Sequence, residues 1–241
     1  MAELASVQND TSATIIRVLG GLFAIPNGDD VYDPVRQEAG QAVAWFNGPG
    51  RKLNAESIRP EALVQIGDRM FGAGRRMYTA AIEHQRQWAG TDAEMRKPLD
   101  RLDRSNDPER RARFRNLPTG EMMVAIQHAD LADLTALTAS GNVAALPDEA
   151  FAEAEVRYLV ENIVEKQALQ AMFGPKRTLE NPLPDGPDVA GARRQAEGII
   201  SGHDANRDLI AIHAQKLQEY SQFLSHVFGL DAADAFKRMV P

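Results

Sequence analysis

The sequence predicts an all-α protein, an elongated bundle of about seven to nine helices with a long C-terminal helix. Apolar residues recur at helical spacing, and residues that begin or end helices punctuate the chain. No stretch shows the strict apolar–polar alternation of a half-buried strand. The length of 241 residues suits one domain or two small ones.

The N-terminal third contains three predicted helices. The first is indicated by the apolar residues of 15–23 and ends at the turn signal Pro26-Asn27-Gly28. The second begins at Asp33-Pro34, a good cap followed by a good first helical residue, and ends at Asn47-Gly48-Pro49. The third covers about 57–89.

The middle of the chain is predicted to complete a helical domain over residues 1–173. Thr91-Asp92-Ala93-Glu94 has the spacing of a capping box, and Asp107-Pro108-Glu109 is another helix start. Residues 92–116 are dense in both charge signs, which is typical of a solvated outer helix pair. Further helices are expected over about 120–139 and 147–173.

Residues 174–187 contain four prolines and two glycines, which predicts a non-helical linker or crossover. The sequence leaves open whether this stretch separates independent domains. Residues 188–241 are expected to form a long helix to about Phe228 and a short terminal helix, packed on the first part or on another chain. Apolar residues spaced alternately three and four apart favour this helix, although Gly202 is a candidate break.

The predicted C-terminal helix is longer than a compact chain of this size is wide. A continuous helix over 188–228 would be about 60 Å long at 1.5 Å per residue. A compact chain of this size has a diameter of about 46 Å. The prediction is therefore an elongated molecule, a broken helix, or a helix that packs on a second chain.

Composition excludes several classes of protein. The chain has no cysteine, so it has no disulfide, no cysteine-ligated metal and no thiol nucleophile. Its net charge of −7 argues against nonspecific nucleic-acid binding, although residues 1–120 alone carry a net charge of +1. The longest apolar run is far short of the roughly 20 residues of a spanning helix, and no basic leader precedes it. We expect a soluble protein, cytoplasmic or inside a particle assembled in the cytoplasm.

The densest basic patch is a candidate contact for an anionic partner. It consists of Arg110, Arg111, Arg113 and Arg115 with Phe114 between them. Arginine suits phosphate and carboxylate recognition, and Phe114 could stack on a base. The alternative is an outer helix whose arginines pair with the acidic residues close by in sequence, such as Asp103 and Asp107.

Three polar residues fall on the apolar seam of the predicted C-terminal helix. His203, Asn206 and His213 are either a buried polar layer that fixes register or a layer with a metal or proton-switch role. His203 and His213 would be about 15 Å apart along a straight helix, so they cannot share a metal without other helices or chains. The structural interpretation is favoured.

The sequence shows no catalytic signature and implies no cofactor or metal. It favours a non-enzymatic helical protein that works in a larger assembly, such as a virion or a secretion apparatus, as a homo-oligomer or with other protein subunits. One alternative is a regulatory or nucleic-acid-binding module that uses Arg110–Arg115. Another is a ligand-binding or enzymatic bundle, because active sites can be assembled from residues far apart in sequence.

Overall fold

A computed structural model describes residues 4–139 and 146–241 and shows a mainly helical protein. The chain forms two compact units: unit 1 comprises residues 1–87 and 207–241, and unit 2 comprises residues 88–206. The described residues form three strands, nine α-helices and two short 3₁₀ helices. The strands are β1 (Ala5–Asn9), β2 (Ala13–Val18) and β3 (Gly21–Pro26); the 3₁₀ helices are Asp30–Tyr32 and Gly50–Lys52; the α-helices are α1 (Asp33–Asn47), α2 (Ile58–Arg96), α3 (Asp107–Arg115), α4 (Thr119–Gln127), α5 (Leu131–Thr138), α6 (Asp148–Lys166), α7 (Leu169–Met172), α8 (Val189–Phe228) and α9 (Ala232–Met239).

The all-α prediction is wrong at the N-terminal end, where an antiparallel sheet in the order β1-β2-β3 replaces the first predicted helix. Leu19 and Gly20 both have positive φ angles, of 50° and 86°, which match a tight two-residue hairpin turn between β2 and β3. Thr14, Ile16 and Val18 are buried and Arg17 is exposed, so burial alternates with a period of two along β2.

Unit 1 has a core of its own, which joins the sheet to helices. Tyr220 and Phe223 of α8 lie 5.0 Å and 6.0 Å from the ring of Phe23 in β3. The hydroxyl of Tyr220 donates a hydrogen bond of 3.0 Å to the main-chain oxygen of Met70 in α2. Asn47, the last residue of α1, accepts hydrogen bonds from the main-chain N–H groups of Leu4 and of Ala5, the first residue of β1. These contacts join the sheet to α1, α2 and α8.

All the secondary structure in the described residues of unit 2 is helical. The C-terminal end of α2 is closed by α6, because Asn162 donates hydrogen bonds to the main-chain oxygens of Met95 (2.7 Å) and Lys97 (3.0 Å). Tyr158 donates another, of 2.7 Å, to the main-chain oxygen of Arg96. Three carbonyls that a helix end would leave unsatisfied therefore have donors. Burial raises the pKa of the Tyr158 hydroxyl to about 12.

Several helix boundaries differ from the prediction. Thr91-Asp92-Ala93-Glu94 lies inside α2 and is not a capping box, and α3 is the one helix that the described structure places between Lys97 and Asn116. The helix expected over 120–139 is two, α4 and α5. Asp130 caps α5 by accepting a hydrogen bond from the main-chain N–H of Asp133, which separates α5 from α4.

The long C-terminal helix is confirmed. α8 runs from Val189 to Phe228 without a break at Gly202, and the short helix α9 follows it. Residues 174–187, the predicted linker or crossover, contain neither helix nor strand and lie within unit 2. The division of the chain into a helical domain of residues 1–173 and a C-terminal part of residues 188–241 stays a prediction.

Candidate functional sites

The basic patch predicted at Arg110–Arg115 lies on α3, and an acidic residue of α5 engages two of its arginines. Arg110 contacts the carboxylate of Asp133 at 2.7 Å and that of Asp130 at 3.5 Å, and Arg113 also pairs with Asp133. Asp133 is buried. Its hydrogen bond to Arg110 raises the pKa of that guanidinium above the usual value.

Phe114 of the same patch is part of the core of unit 2 and is only 2% exposed. The guanidinium of Arg113 lies 5.1 Å from the centre of its ring. Phe114 could not stack on a base without leaving the core. Arg115 is exposed and Arg111 half-buried, so these two arginines point out of the network that Asp133 forms. The ion-pair partners of these arginines thus lie some 20 residues on: Asp133 for both Arg110 and Arg113, and Asp130 for Arg110.

His203, the first residue of the predicted polar seam, is buried in unit 2 between an aromatic ring and a carboxylate. Trp88 stacks on its imidazole with ring centres 4.9 Å apart and an angle of 8° between the planes. Nε2 of His203 lies 3.2 Å from Oδ1 of Asp92. Asp92 is also held by Arg96, at 2.9 Å, and Arg96 pairs in turn with Glu155. These side chains form one connected network of polar contacts and ion pairs within unit 2.

His213 is buried in unit 1 with an exposed fraction of 1%. Its Nε2 atom lies 2.7 Å from Oδ2 of Asp29, and the ring of Tyr32 packs edge-on at 5.7 Å. The imidazole of His84 lies 5.5 Å away, measured between ring centres. Burial, followed by the negative charges of Asp29 and Glu219, raises the pKa of the Tyr32 hydroxyl well above its usual value.

The two histidines therefore do not form one layer. Each has its own aspartate, and the third predicted residue, Asn206, is exposed. Sequence reasoning found the histidines but missed Asp29 and Asp92, which lie 184 and 111 residues from their partners. No local pattern links positions so far apart.

A cavity of about 550 Å³ opens beside Asp29 in unit 1, and we call it the Asp29 cavity. Its lining includes Asp29 of the loop after β3 and Asp30, the first residue of the 3₁₀ helix. His84 of α2 and Leu209 and Ile212 of α8 complete it. Gly28 has a φ of +83°, which lets this loop turn sharply into the 3₁₀ helix.

Residues 174–187 of unit 2 form an exposed loop, which we call the leucine loop. The main-chain N–H of Asp188 donates a hydrogen bond of 3.1 Å to the oxygen of Phe173 and closes the base of the loop. Thr178 and Asn181 exchange two hydrogen bonds of 3.0 Å across a turn within it. Leu179 is 94% exposed and Leu183 is 84% exposed, so the loop presents two large apolar side chains to solvent.

Within residues 4–139 and 146–241 there is no group of three or more acidic or histidine side chains arranged to hold a metal ion. The same residues include no helix long and apolar enough to cross a membrane. Comparisons with protein-family models, with curated proteins and with solved structures gave no match for this chain. The function must therefore be argued from the surfaces and side chains themselves.

Proposed function

We propose that this chain is a non-enzymatic interaction protein that works as a subunit of a larger macromolecular assembly, for example of a virion or a secretion apparatus. The main support for the proposal is the exposure of apolar side chains on the leucine loop. Its two leucines are almost fully exposed, on a backbone that its own hydrogen bonds hold in place. Met172, just before the loop, is a third large apolar residue in this stretch and is 74% exposed.

Exposed apolar area of this kind is unfavourable in water. Burying one leucine side chain stabilises a protein or a complex by about 1.5–3 kcal/mol. Single exposed apolar residues are common on protein surfaces, but here three lie within twelve residues of one another. The closed base of the loop reduces the conformational entropy that binding would cost. The loop thus suits insertion into an apolar groove on a protein partner.

The proposed partner is a protein, either another subunit or a second copy of the chain. The expected setting is the cytoplasm or a particle assembled there, and the elongated shape inferred from the length of the C-terminal helix belongs to the same proposal.

The experiment is native mass spectrometry of the full chain purified from its source, as wild type and as a Leu179→Ser, Leu183→Ser double variant. The wild type is expected to retain a complex of defined mass, and the double variant to lose it. Val64→Ser is the matched control, because Val64 is 76% exposed but lies on α2. Circular dichroism checks that the variants keep their helix content. A wild-type monomer without a partner, or a complex equally stable in the double variant, would refute the proposal.

The basic segment supports the second hypothesis, a nucleic-acid-binding module, less well. Two of its arginines are paired with Asp133 and Phe114 is in the core, which leaves Arg111 and Arg115 to make contacts. Two arginines would give a shallow dependence of binding on salt. Binding at low salt that Arg111→Ala and Arg115→Ala abolish together would revive this hypothesis.

A further inference from the structure

The Asp29 cavity combines two kinds of surface. Its lining includes two aspartates, Asp29 and Asp30, and two apolar residues of α8, Leu209 and Ile212, which we call the apolar wall. Ile212 remains 42% exposed, so the wall lacks a full packing partner within the chain. The volume of about 550 Å³ falls within the range of small-molecule sites, about 300–1,000 Å³.

The carboxylate of Asp29 is fixed in position. Its Oδ2 atom lies 2.7 Å from Nε2 of His213, and its Oδ1 atom accepts a hydrogen bond of 3.0 Å from the main-chain N–H of Val31. Because His213 is buried, the contact is shielded from water and from salt. A carboxylate held from behind in this way keeps its orientation when a ligand arrives.

The charges around the cavity favour a cation. The guanidinium of Arg36 contacts two of the residues that line the cavity: it donates to the main-chain oxygens of Pro26 and Asp29, and it pairs with Asp33. Its charge is therefore matched by Asp33. In the part of the chain that the structure describes, no ion pair joins Asp30 to a basic side chain, and Asp30 is exposed. This carboxylate is accessible to an incoming positive group.

We propose that the Asp29 cavity binds a small organic cation, a protonated amine carried on an apolar body. The ammonium group lies between the carboxylates of Asp29 and Asp30, where it replaces part of its hydration with charge-assisted hydrogen bonds. The apolar body packs on Leu209 and Ile212. A metal ion fits less well, because it needs several donor atoms and the apolar wall supplies none.

The test compares three probes of similar shape and different charge: phenethylamine, 2-phenylethanol and 3-phenylpropionate. Each is titrated into the full chain at pH 7 and low salt, and binding is followed by calorimetry and by NMR shifts. Phenethylamine is expected to bind saturably, and 3-phenylpropionate is expected not to bind. The alcohol, 2-phenylethanol, should bind about fivefold more weakly than the amine, because it lacks one partly exposed ion pair.

Two variants assign the binding to the cavity. Asp30→Asn is expected to weaken phenethylamine binding about fivefold, and Ile212→Ser to weaken all apolar probes. Asp68→Asn is the matched control, because Asp68 is an exposed aspartate of α2 that does not line the cavity, and it should leave binding unchanged. Equal binding of the amine and the alcohol, no saturable binding of the amine, or an Asp30→Asn variant that binds as the wild type would each overturn the proposal.

Discussion

Replacing Gly202 with alanine is expected to stabilise the protein. Gly202 lies within α8, is exposed, and is not among the glycines with positive φ. A methyl group built at this position has no atom within 4 Å, so alanine adds no clash. Only the backbone entropy of glycine then changes, and the expected gain in the free energy of unfolding is about 0.5–1 kcal/mol.

The same substitution at Gly74 is expected to have the opposite sign. A methyl group there would lie 2.6 Å from Sδ of Met239 and 2.9 Å from Cε1 of Tyr220, and both side chains are fully buried. Overpacking of a core costs about 1–3 kcal/mol, which exceeds the gain in helix propensity. Gly74→Ala should therefore destabilise the protein although it lies in a helix as Gly202 does.

Urea unfolding followed by circular dichroism at 222 nm measures both effects as shifts of the midpoint. Gly198 offers a second open position on α8, so Gly198→Ala should match Gly202→Ala. A helix that ended at Gly202 would require glycine at its C-terminal cap, and alanine would then cost about 1 kcal/mol. Destabilisation by Gly202→Ala would refute the continuity of α8.

Three further predictions concern unit 2. Asp133→Asn leaves Arg110 and Arg113 without their shared buried partner and should lower the free energy of unfolding by about 2–3 kcal/mol, measured in urea. Asn162→Ala leaves two main-chain oxygens at the end of α2 without donors and should cost about 2–4 kcal/mol in the same assay, against about 1 kcal/mol for Tyr158→Phe. Because the folded protein raises the pKa of Tyr158 to about 12, the unfolded state ionises first as pH rises; stability should fall by about 1.4 kcal/mol per pH unit between pH 10 and 12, and Tyr158→Phe should remove that part of the slope.

Helices with a sustained pattern could be predicted from the sequence. The apolar residues of α8 keep their spacing over many turns, which fixes one face of a helix through Gly202. The start of α1 at Asp33 and its end at Asn47 likewise agree with the prediction. The signal is strong in α8 because a spacing that is kept over many turns fits a helix and no other regular secondary structure.

The hairpin of β2 and β3 shows that a short apolar run does not distinguish a helix from a strand. Ile15, Val18, Leu22 and Phe23 satisfy the spacing of a helix, yet Ile16 and Val18 also satisfy the alternation of a strand. The strand forms because β-branched residues favour it and Leu19-Gly20 makes the turn. Packing against the rest of unit 1, which the local sequence does not encode, decides between the two.

The candidate sites were predicted less completely than the helices. The sequence singled out His213 and the arginines of α3, but their partners depend on tertiary structure. Asp29 reaches His213 from the other end of the chain, and Asp133 comes from a separate helix. Charge and burial of a site follow from such contacts, so a single sequence shows only one side of each pair.

The proposal that this protein binds a partner through the leucine loop is tested most directly by native mass spectrometry of the protein from its source. The wild type should keep a partner or a second copy, and the Leu179→Ser, Leu183→Ser variant should appear as a monomer with unchanged helix content. The mass of the complex distinguishes a different subunit from a second copy of the chain. A wild type that is monomeric and carries no partner would contradict the claim.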